Sequence, residues 1–143
     1  TGAVLGADEV SDHVDAFATY GRHLGIAFQL IDDVLDYQGD ASELGKNVGD
    51  DLAEGKPTLP LIYTIANGSP EQATLIKDAI RSGGLEHLEQ IVETVRASGG
   101  LQYTVDKAAE QTRIALAAID HVPASPYKDA LFRLAEESLK RTY

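Results

Sequence analysis

Cysteine, methionine and tryptophan are all absent from the 143 residues, and the aromatic content is limited to six tyrosines and three phenylalanines. Without thiols there can be no disulfide, no thiolate nucleophile and no Cys-ligated zinc, a composition that fits a reducing compartment such as the cytoplasm. Bases are also scarce. Twelve Lys and Arg stand against 23 Asp and Glu, a formal net charge of -11, and a field of that sign repels phosphate backbones and anionic membrane surfaces. Nucleic-acid binding is therefore set aside. No apolar run approaches the ~18 to 20 residues of a membrane span, and the first residues lack a basic stretch followed by an apolar one. The chain opens on TGAVLGADEV with neither an initiator methionine nor a helix cap before an apolar stretch. This leads to the expectation of a piece of a longer protein.

What is present reads as one folded, all-α domain. Hydrophobic residues make up 43% and charged residues 24%, well away from the composition of disordered chains. From Ser11 to about Tyr37, Phe17, Tyr20, Leu24, Phe28, Ile31 and Leu35 recur at steps of three and four. Ile26, Leu30 and Val34 add a second apolar flank, and a helix apolar over so much of its circumference is expected inside a bundle. Residues 38–57 carry four glycines and no sustained period, so they read as a long loop with a short helical turn near 50–54. Ser69, Pro70 and Gln72 form a capping-box start, and Gly83 with Gly84 closes that helix. Leu85 to Ser98 is expected to end on Gly99 and Gly100. A long helix from Leu101 to about His121 follows, and Ser125-Pro126 opens a last one that ends on Lys140 and Arg141.

Chemistry concentrates in GIAFQLIDDVLD, residues 25–36. Gly25, Gln29, Asp32 and Asp36 are linked by steps of four, three and four, which makes a narrow polar stripe on an otherwise apolar helix, with Asp33 at its edge. Carboxylates one turn apart repel each other unless a cation or water separates them. Mg²⁺ suits the arrangement: it takes oxygen ligands, keeps several waters, and commonly uses one or two carboxylates plus substrate phosphates. Gly25 leaves room for a substrate one turn above. A solvated acidic helix face is the plainer reading of the same string. Between His23 and Ile76 the only Lys or Arg are Lys46 and Lys56, in the glycine-rich loop that follows the acids. Backbone N–H groups and lysines together can hold a diphosphate. Eight acids, Asp32, Asp33, Asp36, Asp40, Glu43, Asp50, Asp51 and Glu54, fall in this segment and would repel a diphosphate that came without metal. An EF-hand fails on inspection, because a frame from Asp40 puts Leu44 at the fifth position and a frame from Asp36 puts Ala41 where glycine is needed. His13, His23, His87 and His121 are scattered singly and read as surface or partly packed residues. Phe17, Tyr20 and Phe28 read as core.

FQLIDDVLD, followed by LGKNVGDDLAEGKPTLPLIY, resembles the second aspartate-rich motif and downstream lysine loop of the trans-prenyl diphosphate synthases, and within them the long-chain members that make the ubiquinone side chain. The phrase from Gly21 to Leu61 carries the resemblance, which continues more weakly to the C-terminus and spans about the second half of such an enzyme. It implies an all-α bundle of the isoprenoid synthase type and a transferase that joins isopentenyl diphosphate head-to-tail to an allylic diphosphate, with the whole enzyme a homodimer. By the same resemblance Mg²⁺ is the cofactor, Asp32 and Asp36 are its ligands, Asp33 supports them, and Gln29, Lys46 and Lys56 contact substrate. Only one DDxxD is present, and the family's upstream Lys-Thr pair is not, so half of the metal cluster and the isopentenyl diphosphate site are expected to be missing and the 143 residues alone to be inactive. A function of another class also stays open: a non-catalytic helical subunit or interaction module that keeps the motif and works by docking to a partner chain.

Overall fold

The computed structural model describes residues 11–38, 50–82 and 87–140. These form seven helices: α1 Ser11–Gln38, α2 Asp50–Ala53, α3 Leu59–Asn67, α4 Pro70–Ser82, α5 Leu88–Ala97, α6 Gly100–Ala118 and α7 Pro126–Lys140. No strand occurs among the described residues, as the helical periodicity led one to expect. The chain divides into two compact units, Thr1–Ile31 with Lys107–Tyr143, and Asp32–Asp106.

In the first unit, Tyr20, Ala115, Ile119 and Ala135 form a buried cluster, with Phe17, Leu24, Leu116, Val122, Leu131 and Phe132 packed against it. The Tyr20 hydroxyl donates to the Leu131 carbonyl at 2.8 Å, which satisfies the polar tip of a residue otherwise wrapped in apolar surface. His23 Nδ1 lies 2.6 Å from Gln111 Oε1. Lys128 Nζ donates to the carbonyls of Asp120 and Val122 at 2.6 and 2.8 Å, tying down the turn after α6. One expectation needs correction here. Phe28 keeps 46% of its surface exposed and Ile26 42%, while Ala27, Ile31 and Val34 on the same helix are fully buried; an all-round apolar arc needs cover on more than one side. The histidines are surface or partly packed residues as expected, and folding brings the His13 and His121 rings to a centroid distance of 5.8 Å.

The second unit is held by Tyr37, Leu52, Leu61, Ile76, Ala79, Ile91, Val92 and Val95. α3 packs on α4 and α5, and α2 on α4. The helix α3 was not foreseen: LPLIYTIAN is apolar at nearly every step, so it carries no contrast between faces. The capping box of α4 forms as expected, with Ser69 N donating to Gln72 Oε1 at 2.8 Å and Gln72 N to Ser69 Oγ at 3.3 Å. Gly99 takes φ +83 after α5. Gly100, expected to close that helix, instead opens α6, where an added Cβ would lie 2.9 Å from the Pro60 carbonyl oxygen. Gly83 and Gly84 lie outside the described residues. The Ser125 hydroxyl accepts from Lys128 N at 3.2 Å, capping α7 as expected.

Candidate functional site

α1 runs unbroken through Gln38, so the sequence steps from Gln29 to Asp32 to Asp36 follow one side of a helix. Gln29 is exposed and Asp32 half-buried, while Asp33 retains only 8% of its surface. Among the described residues, a Cβ at Gly25 would meet nothing within 4 Å. Lys46, Asp40 and Glu43 lie outside the described residues.

Asp36 is a strongly perturbed acid. Its carboxyl is pushed up from 3.8 to about 6, first by loss of hydration and then by the negative charges of Asp51 and Asp50; the backbone N–H groups of the same two residues pull it partly back. Oδ2 of Asp36 is buried with no hydrogen-bond partner among the described residues. The next residue, Tyr37, is fully buried, and burial, aided by the charges of Asp36, Asp51 and Asp33, drives its phenol up. Thr58 lies near enough to favour the phenolate, yet neither hydroxyl reaches hydrogen-bond geometry.

The neighbours of Asp36 come from α2, whose four residues could not persist without a firm end. Lys56 N donates to the Asp51 carbonyl and Gly55 N to the Leu52 carbonyl, both at 2.9 Å, with Gly55 at φ +71. This is the Schellman arrangement, and glycine supplies the left-handed residue it requires. The same turn sets Lys56 beside α2, its Nζ 2.9 Å from Asp51 Oδ1 and 2.6 Å from Glu54 Oε2. Those two acceptors, Glu54 foremost, raise its ammonium.

The structure thus brings Asp36, Asp50, Asp51, Glu54 and Lys56 into one electrostatic neighbourhood. Asp50 and Asp51 were counted in the acidic segment without being given a role. The signal was an acid pair four and five residues before a glycine, the pattern of a one-turn helix whose N-terminus can face a carboxylate. A buried carboxylate oxygen with no partner among the described residues fits a hard cation, because that atom has lost its water and gained no donor of its own, the N–H groups of Asp50 and Asp51 offsetting the charge only in part. Among the described residues no group of three or more His, Cys, Asp or Glu can hold a metal ion by itself. Such a cation would draw its remaining oxygens from water or from phosphate.

With that geometry in hand, comparison with known proteins is informative. The family described as Polyprenyl synthetase matches residues 1–96. The chain belongs to the polyprenyl synthetase family. It is 50% identical over 123 residues to octaprenyl diphosphate synthase of Escherichia coli K12, a match that covers 85% of this chain and 38% of that protein. Among solved structures, a decaprenyl diphosphate synthase from Rhodobacter capsulatus superposes with a TM-score of 0.83 at 36% identity, covering 99% of this chain and 44% of that one. A polyprenyl synthase from Caulobacter crescentus, complexed with calcium and isoprenyl diphosphate, gives a TM-score of 0.80 at 40% identity and covers 90% of this chain and 40% of that one. The chain therefore spans about two fifths of these polyprenyl synthetase relatives, and the resemblance noted at FQLIDDVLD is one of descent. No described helix is long and apolar enough to cross a membrane.

Proposed function

We propose that the chain is the part of a trans-polyprenyl diphosphate synthase, within a single all-α synthase domain, that binds the diphosphate of an allylic substrate during its elongation by isopentenyl diphosphate. The observation that carries this reading is the buried Oδ2 of Asp36, without a partner among the described residues, at the end of the DDxxD helix. Asp32 and Asp36 hold the metal ion, and Asp33, packed inward, supports them. When bound, Mg²⁺ supplies Lewis-acid neutralisation of the leaving diphosphate. Gln29, on the same helix, and Lys46 contact the allylic substrate. Lys56 reaches the diphosphate by releasing Glu54 or Asp51, so that an existing charge pair is exchanged for a charge-assisted bond to phosphate. Similarity to octaprenyl diphosphate synthases supports an octaprenyl product, and the proposal extends to a quinone side chain as its destination and to a cytoplasmic homodimer as the whole enzyme.

The test uses the full-length protein that contains this chain. Supplied with labelled isopentenyl diphosphate, an allylic starter and Mg²⁺, it yields a polyprenyl diphosphate whose carbon count reads the product length. Elongation that is unaffected by chelation, or turnover of the allylic substrate without isopentenyl diphosphate, would overturn the reading. The 143-residue chain by itself, with a single aspartate-rich motif, does not elongate under the same conditions.

A further inference from the structure

The last turn of a helix leaves carbonyls without intrahelical partners, and the last turn of α1 contains no basic residue of its own to meet them. The cation arrives from far along the chain. Arg96, near the end of α5, donates from Nε to the carbonyl oxygen of Tyr37 at 2.8 Å, across a separation of 59 residues. A guanidinium at this position makes a charge-assisted hydrogen bond and also faces the negative end of the helix dipole.

Tyr37 is held at its other end as well. Its side chain is fully buried among Leu52, Ile91 and Val95, and Val95 immediately precedes Arg96 on α5. The carbonyl is thus tied to α5, and the side chain to the core cluster that α5 helps to form. Asp36 is the adjacent residue, and its carboxylate meets the backbone N–H groups of Asp50 and Asp51. A rotation of the final turn of α1 by a fraction of a residue would move Asp36 away from α2 and change its register with Asp32, whereas the remainder of α1 would be unaffected.

We infer that Arg96 is a positioning residue for the aspartate-rich end of α1: through the Tyr37 carbonyl it fixes the turn that presents Asp36, without touching metal or substrate. The inference rests on the functional reading given above. Partners that orient metal ligands from behind typically alter metal affinity or activity by about 10- to 100-fold when removed.

The experiment compares Arg96→Met, which keeps the aliphatic stem but has no donor, with Arg96→Lys, which can still donate to the carbonyl, in the full-length protein. For Arg96→Met, the Mg²⁺ concentration at half-maximal elongation rises about tenfold, and saturating Mg²⁺ restores kcat. Arg96→Lys returns most of the lost Mg²⁺ response. Melting temperatures are read in parallel and every assay is run well below them. A folded Arg96→Met protein with an unchanged Mg²⁺ response overturns the inference, as does a loss of kcat that Mg²⁺ fails to restore. Failure of Arg96→Met to fold also overturns it, since the contact would then serve stability alone. If the unsubstituted protein shows no Mg²⁺-dependent elongation, it is the functional reading that falls.

Discussion

Asp36→Asn should make the metal-free chain more stable at neutral pH and less able to bind diphosphate with Mg²⁺. Asparagine keeps an oxygen for the N–H groups of Asp50 and Asp51 while removing a charge that loses hydration and faces two other carboxylates. The carboxyl stands at about 6 in the fold against an ordinary 3.8, a rise of about 2 pH units, or ~3 kcal/mol at ~1.36 kcal/mol per unit before screening. Asp36 is only partly buried as a residue, and screening by the nearby solvent cuts the expected effect to ~1 kcal/mol. The sign follows from proton binding. An acid raised in the folded state binds its proton more tightly there, so the penalty is absent below about pH 3.8, grows as pH rises, and is complete above about pH 6. Urea unfolding of both proteins from pH 3.5 to 8, without divalent ions, should show the variant gaining ~1 kcal/mol at pH 7.5 and nothing at the acid end. Added Mg²⁺ and diphosphate should then raise the midpoint of the wild type more than that of the variant. A variant less stable at pH 7.5, or a gain independent of pH, would refute the electrostatic account.

Asp32→Ala in the full-length protein should lower elongation by orders of magnitude with little change in melting temperature, because a half-exposed carboxylate has little packing to lose; near-normal rates at saturating Mg²⁺ would contradict this. Lys46→Ala should raise KM for the allylic diphosphate more than it alters thermal stability, as measured by initial rates beside a melting curve. Ser69→Ala removes one half of the α4 capping box and should cost ~1 kcal/mol in urea unfolding.

Local grammar was readable in advance and long-range pairing was not. The capping box at Ser69 and Gln72 and the cap at Ser125 lie within three residues of their partners, so spacing alone specified them. The DDxxD stripe lies within one helix, whose periodicity fixes its geometry. By contrast, α3 escaped because a segment apolar on every face has no period to detect. Gly99 and Gly100 look alike in sequence, yet one supplies a left-handed turn and the other lets α6 approach the Pro60 carbonyl, a distinction that only packing draws. Arg96 with Tyr37, and His13 with His121, are brought together by tertiary folding and leave no mark on the sequence between them.

Tyr37 gives the second unit an optical readout. The chain has no tryptophan, so its near-ultraviolet absorbance comes chiefly from tyrosine. The Tyr37 phenol is sealed beside carboxylates and its ionisation is raised above the usual 10. Below about pH 10 the folded and unfolded chains both keep this proton; above it only the unfolded chain releases it, so alkali draws the unit open. The phenolate band of this residue therefore appears at the rate of opening rather than at the rate of deprotonation, and a stopped-flow jump to high pH would time the loosening of the very turn that carries Asp36.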